Sequence, residues 1–272
     1  MPTYRDEAVV LRTHKLGEAD RIVTMLSRRH GKIRAVAKGV RRTSSKFGAR
    51  LEPFSQVDLQ IASGRSLDTI TQAMTMHAPF NPIGADYAFY TAGQVMVETA
   101  DRLLPIEGEP ALQQYLLLAG ALKAMVNGTT DGKRPPSMIM DSYLLRAVAT
   151  AGYAPVLDKC ARCGTLGSHD RFSVSAGGVV CAACREVGAV RVSAAVLSHL
   201  TALLTGDWPA TRAVTAATAQ AASGVIAAFA SWHIERTIRS LEMVDRSGSG
   251  FVEKFPLDGT SGQRSSQTGD PR

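Results

Sequence analysis

Along the first quarter of the chain apolar residues recur at every second position; beyond it they recur every third or fourth. The early alternation predicts strands over Ala8–Thr13 and Ile22–Ser27, separated by LGEAD, whose Gly17 and Asp20 suit a turn. A further strand is predicted over Ile33–Lys38 after the loop RRHGK, with Gly31 supplying positive φ. In that strand Ile33, Ala35 and Ala37 share one face, while Arg34, Val36 and Lys38 share the other, exposed one. Val57, Leu59 and Ile61 alternate with Asp58 and Gln60, and Leu67–Met74 makes a fifth run after the turn SGR. Five short strands in so few residues predict a small barrel, and the OB-fold is the five-stranded barrel that holds nucleic acid on a strand face and its loops.

From Pro79 the period changes. PFNPIG reads as a linker, after which Phe89, Ala92, Met96, Ala100 and Leu103 lie on one stripe of a helix ended by Pro105. A second stripe, Leu112, Tyr115, Leu116, Ala119, Leu122 and Val126, closes at Asn127-Gly128. Ile139, Tyr143, Ala147 and Ala151 form a third, ended by Gly152 and Pro155. Helical spacing resumes over Val192–Leu204 (Ala195, Val196, Leu200, Leu203) and over Val225–Met243 (Ile226, Phe229, Ile234, Ile238, Leu241). Such stripes are the packing seams of a bundle. Residues 247–272, rich in Gly and Ser, are expected to have no fixed structure. The expected division is a barrel over 1–79, a helical domain over 80–246 with a metal finger at 157–187, and that tail. The fold class is α+β.

Charge adds what periodicity does not show. The stretch RRHGKIRAVAKGVRRTSSKFGAR holds nine cations, Arg28, Arg29, Lys32, Arg34, Lys38, Arg41, Arg42, Lys46 and Arg50, and no acid. With those nine set aside, 22 basic residues face 24 acidic ones, so the formal +7 is one local block on a near-neutral body. A block of this sign attracts polyanions through Coulomb attraction and counterion release; the plain alternative is a solvated loop that keeps the protein soluble. Phe47, among Arg41, Arg42, Lys46 and Arg50, is placed either to stack a base of a single strand or to plug the barrel end, a role that Phe54 also fits.

All four cysteines fall in one segment, as Cys160-Ala-Arg-Cys163 and, after seventeen residues, Cys181-Ala-Ala-Cys184. Two CxxC pairs at this separation match a tetrahedral zinc site of two knuckles, and a closed four-thiolate shell makes the ion structural. A redox dithiol would need a thioredoxin-like βαβ setting, which the pattern lacks. His169 lies in the intervening loop and is expected at the surface. The composition, 45% hydrophobic and 20% charged, is that of a globular chain. The opening MPTYRDEAVV has early acids and no apolar h-region, and no window of about 18 apolar residues occurs, so a cytoplasmic location without membrane partners is expected.

Catalytic patterns are missing. No GxxxxGK[ST], GxSxG or HExxH occurs; Gly128–Lys133 has the wrong spacing for a phosphate loop. His233-Ile234-Glu235 follows the cysteines, where a deaminase has it before them, and no CxxC is preceded by Pro. A non-enzyme is expected. The rivals are a zinc-ribbon transcription or translation factor, and a hydrolase using carboxylates whose pairing the sequence does not reveal.

With those residues in view, YRDEAVVLRTHKLGEADRIVTMLSRRHGKIRAVAKGVRRTSSKFGARLEPF resembles the N-terminal signature of the RecO family, bacterial recombination-mediator and repair proteins. The likeness continues through barrel, helices, CxxC…CxxC and helices, over roughly positions 1 to 245. The resemblance implies an N-terminal OB-fold, a helical domain with an embedded zinc finger, and binding of single- and double-stranded DNA with annealing of complementary strands. It also implies partnership with RecR, loading of RecA onto gaps coated by single-strand binding protein (SSB), docking of the acidic SSB tail on the helical part, and association with the nucleoid. The positions matching DNA contact are the nine basic residues from Arg28 to Arg50.

Overall fold

A computed structural model describes residues 2–77, 80–234 and 239–244, so the tail expected at 247–272 lies outside the described residues. The five strands are β1 (Thr3–Leu16), β2 (Asp20–Ser27), β3 (Gly31–Ala37), β4 (Gln56–Ala62) and β5 (Asp68–His77), closed into a barrel in the order β1-β2-β3-β5-β4. Every pairing is antiparallel except β3 with β5, a parallel seam of two residue pairs, Ala35 with Asp68 and Val36 with Thr69. The predicted alternation in β3 holds: Ile33, Ala35 and Ala37 are buried and Arg34 and Lys38 exposed.

β1 serves two cores. Its run Ala8-Val-Val-Leu11 is buried throughout, because Ala8 and Val10 point into the barrel while Val9 and Leu11 point out into the helical core. A strand covered on both faces reads as a continuous apolar run rather than an alternation.

The two phenylalanines divide these cores between them. Phe47, 2% exposed, fills the barrel interior with Leu51, Leu59 and Ile61. This removes its sequence-level candidacy as a base-stacking ring, since a side chain inside the barrel presents no open face. Phe54, expected to plug the barrel end, instead packs in the helical cluster. It sits at φ 73° between two backbone hydrogen bonds to Val10 and its ring meets Tyr90 edge-on at 6.0 Å.

Of the expected linker PFNPIG, the described residues belong to a short helix, α1 (Phe80–Ala85), whose Ile83 is fully buried against the next helix. α2 (Tyr87–Leu103) is capped by Asp86, whose carboxylate accepts from the Ala88 and Phe89 N–H groups. α3 (Leu112–Asn127) follows, with Gly128 at φ 93° after it. Its buried stripe is Tyr115, Leu118, Leu122 and Met125, leaving predicted members Leu112 and Leu116 exposed. α4 (Pro136–Thr150) is the centre of the domain: ten of its residues are buried, and α2, α3, α5 (Ala194–Thr205) and α6 (Ala216–His233) all pack on it. Between α4 and α5 lies a small sheet, β6 (Arg171–Ser173), β7 (Gly178–Val180) and β8 (Val190–Arg191), in the order β7-β6-β8. The last helix starts earlier than the periodicity predicts, since Thr215 caps it and its first turns are Ala-rich. It stops at His233, and Ile238 of the predicted stripe lies outside the described residues.

Barrel and helices are joined at the β2–β3 hairpin and at the start of β4. The Gly108 N–H donates to the Lys32 carbonyl at 2.9 Å, and Gln56 donates to the Tyr115 hydroxyl at 2.8 Å. Desolvation there pushes the Tyr115 phenol up to about 12. Gly31 has φ 62°, and a Cβ on it would lie 1.7 Å from the Glu109 carbonyl oxygen. Gly31→Ala therefore combines left-handed strain with a clash against backbone, and is expected to destabilise the fold by roughly 2–5 kcal/mol, read as a lowered Tm.

Candidate nucleic-acid interface and metal centre

The basic stretch divides into two parts. In the first, Arg28 pairs with Glu7 at 3.1 Å and Arg34 with Glu107 at 2.5 Å. Lys32 is only 9% exposed; its ammonium donates to the Asp101 carbonyl at 3.0 Å and to the Asp101 carboxylate at 3.3 Å. Arg12 reaches the same carboxylate at 2.7 Å. Lys32, one of the nine positions expected to contact DNA, is thus an interdomain tie. Asp6, itself buried, accepts from the Arg29 N–H and from His30 Nδ1 at 2.6 Å, which fixes the hairpin turn that presents the Arg29 side chain.

The second part is different. Lys38, Arg41, Arg42, Lys46 and Arg50 are exposed, and none of them, nor Arg29, takes part in an ion pair among the described residues. The loop carrying them is shaped by its own cations: Arg41 donates to the Glu18 carbonyl at 2.8 Å and Arg50 to the Lys46 carbonyl at 2.6 Å. Lys46 donates to the Thr71 carbonyl of β5 at 2.8 Å. These bonds use neutral carbonyl partners, so the positive charges stay uncompensated on one rim of the barrel.

The four cysteines converge. Their sulfurs all lie within 4.8 Å of one another, and Cys163 and Cys181 are 3.8 Å apart. The first knuckle is held by the Gly164 N–H on the Cys160 carbonyl and the Cys160 N–H on the Thr165 carbonyl, both at 2.9 Å. Close approach of Gly178 to Val156, whose carbonyl oxygen would be 2.2 Å from an added Cβ, brings the second pair against it. Backbone N–H groups of Cys163 and Cys181 pull the Cys160 thiol down to about 5, whereas hydrogen bonding with the thiols of Cys163 and Cys181 pushes Cys184 up to about 12. Four sulfurs so close ionise together only around a cation, and the set fits one soft-ligand metal ion. Glu186 accepts from Arg162, which lies inside the first knuckle, and from Ser173, so the two knuckles are braced to each other outside the sulfur cluster. His169 Nε2 donates to the Thr165 carbonyl at 2.9 Å and is not among the clustered ligands.

The periodicity gives no sign of a third feature, a groove of about 460 Å³ between α3 and α4. Leu116, Lys123, Tyr143, Arg146 and Trp208 line it, and no Asp or Glu does. The Tyr143 hydroxyl is buried without a hydrogen-bond partner among the described residues. The nearby Asp131 is tied to Arg212 and Arg134; the Arg212 bond leads in holding its carboxyl down at about 2.

A closed five-stranded barrel of the OB type, joined to a helical domain that carries a four-cysteine cluster, defines the class of protein. Comparison with known proteins narrows it. The family model described as Recombination protein O N terminal matches residues 1–79, and that described as Recombination protein O C terminal matches residues 84–242. The chain is 58% identical over 246 residues to the DNA repair protein RecO of Cutibacterium acnes, covering 90% of this chain and all of that one. It is 55% identical over 247 residues to the same-named protein of a Nocardioides species, with 89% and 99% covered, and 50% identical over 247 residues to that of Thermobifida fusca, with 91% and 100% covered. The chain belongs to the RecO family.

Proposed function

We propose that this chain is a non-enzymatic DNA repair and recombination accessory protein that binds single- and double-stranded DNA and anneals complementary strands. The supporting observation is the rim of exposed cations without carboxylate partners among the described residues, Lys38, Arg41, Arg42, Lys46 and Arg50, at one end of a small barrel, with Arg29 exposed at the other end of β3. Arg28 and Arg34 are exposed but already paired, so their charges add less to the field that a phosphate meets. Bringing two strands together is opposed by phosphate repulsion; a cationic rim lowers that cost while base pairing supplies the drive. The readout is annealing of complementary oligonucleotides, bare and coated with SSB, with and without the protein. Acceleration of both supports the reading, and no acceleration of either overturns it.

In this reading the clustered thiolates of Cys160, Cys163, Cys181 and Cys184 hold a structural Zn²⁺. Zinc–sulfur bonds of about 2.3 Å in a tetrahedron place sulfurs about 3.8 Å apart, and the Cys163–Cys181 separation of 3.8 Å agrees. The ion supplies rigidity to the 157–187 finger; the cysteine loops position it.

The groove between α3 and α4 suits the acidic SSB tail: Lys123 and Arg146 offer charge, and Leu116 and Trp208 apolar contact. Arg146→Glu is expected to weaken binding of an acidic SSB-tail peptide about 10-fold or more, with affinity for bare DNA unchanged. Equal peptide affinity in the variant would place the tail elsewhere. RecR as partner and RecA as the recombinase loaded complete the proposal, in the cytoplasm at the nucleoid. No helix among the described residues is long and apolar enough to cross a membrane.

A further inference from the structure

The barrel closes between β3 and β5 through two residue pairs, Ala35 with Asp68 and Val36 with Thr69, whereas β5 runs on to His77. Its other edge is taken along its whole length by β4, from Ala62 opposite Thr69 to Gln56 opposite His77. Just before β4 the Ser55 carbonyl accepts from the Val10 N–H of β1, so by alternation Val57 and Leu59 turn to β1 while Asp58 and Gln60 turn to β5. Met74 and Gln72, opposite those two, are therefore bonded to β4, and the N–H and C=O groups of Ala73 and Thr75 point to the far edge. Among the described residues no backbone hydrogen bond reaches that edge beyond the seam. The Lys46 ammonium meets it instead, on the Thr71 carbonyl at 2.8 Å. From Thr69 to His77 the strand carries no Lys, Arg, Asp, Glu or Pro, the residues that ordinarily blunt an open edge. Gln72 and Thr75 are exposed, as are Met74 by 64% and Met76 by 45%.

We propose that the distal edge of β5 is a docking site for an extended acidic segment of a partner protein, which adds to the barrel as a further strand. Backbone groups of Ala73 and Thr75 supply main-chain hydrogen bonds, and Met74 and Met76 supply apolar contact to every second side chain of the added strand. Charge selects the occupant. Lys46 lies on this edge and Arg50 donates to the Lys46 carbonyl at 2.6 Å, and neither has a carboxylate partner among the described residues. The carboxylate opposite Met74 on β4, Asp58, is already held by Arg5. A second copy of this chain pairing edge to edge would bring two such cationic loops together, which opposes it. A nucleic acid has no alternating amide backbone to continue the sheet, and the edge offers methionines rather than rings for a base to stack on. This docking site does not depend on the nucleic-acid reading.

The test follows amide hydrogen exchange of the full chain with three end-blocked peptides of equal length: alternating valine and glutamate, the same with lysine for glutamate, and the acidic one N-methylated at every second amide. In the free protein the Ala73 and Thr75 amides are expected to exchange much faster than those of Gln72 and Met74, and to become protected on adding the acidic peptide. The N-methylated peptide, which cannot complete the ladder, is expected to bind about 10-fold or more weakly to the unaltered protein. Thr75→Pro, checked for an unchanged thermal transition, is expected to cause a similar loss, because it removes a donor from the open edge alone. It is expected to leave affinity for an oligothymidylate unchanged, so failure of this site and failure of the cationic rim read out separately. Slow exchange of Ala73 and Thr75 in the free protein, no protection by the acidic peptide, or equal binding of the lysine peptide overturns the proposal. Protection of those amides by the oligothymidylate instead would give the edge to nucleic acid, and protection that rises with protein concentration alone would give it to a second copy; either result overturns the acidic occupant.

Discussion

Reversing Lys38 and Arg42 together to glutamate is expected to lower single-strand affinity on the order of 100-fold at moderate salt and to abolish annealing. Both side chains are exposed and lie outside every ion pair among the described residues, so the change removes charge from the rim without taking a partner from the fold. Each phosphate contact to a single strand contributes about 0.7 to the slope of log K against log salt, so losing two should flatten it by about 1.4. Arg41 and Lys46 are poorer choices for reversal, since they also anchor the loop through the Glu18 and Thr71 carbonyls. Wild-type annealing by the double variant, with an unchanged melting curve, would remove the rim from the mechanism.

The second large effect concerns the metal. Cys160→Ala, or removal of the ion by a chelator, is expected to open the finger to protease while the barrel keeps its resistance. In small fingers a bound zinc ion accounts for about 10–16 kcal/mol of folding free energy. Little else orders this one: its strands are two or three residues long, and Phe172, Val174 and Val179 are its buried anchors in the helical core. Those anchors should keep the segment tethered, so the expected result is local cleavage between the knuckles rather than global unfolding. Stoichiometric metal content should fall in parallel. A proteolysis pattern identical to wild type, with the metal lost, would show that the ion does not hold the finger.

Much of the fold was legible because the signals that encode it are local. Strand alternation in β3, the turn glycines Gly17 and Gly31, Pro105 after α2 and the CxxC spacings each act within a few residues, where backbone sterics and ligand reach are set. The α6 start was missed because Ala216–Ala222 carries small residues on every face, so no stripe stands out. The stripe on α3 was partly misplaced for the opposite reason: Leu112 and Leu116 are as apolar as the buried residues, and periodicity has no term for a groove that leaves Leu116 in solvent.

The sequence by itself determined that a small barrel precedes a helical domain, that nine cations crowd one stretch, and that four thiolates can share an ion. Only the tertiary structure decided which of those cations remain free. Lys32 and Asp101 are 69 positions apart, and their pairing exists because the β2–β3 hairpin docks on the end of α2. The same packing sends Phe47 into the barrel and Phe54 out of it. Charge count and hydrophobicity are properties of residues, whereas a free charge or a ring's place in one core or another is a property of what the fold brings beside it.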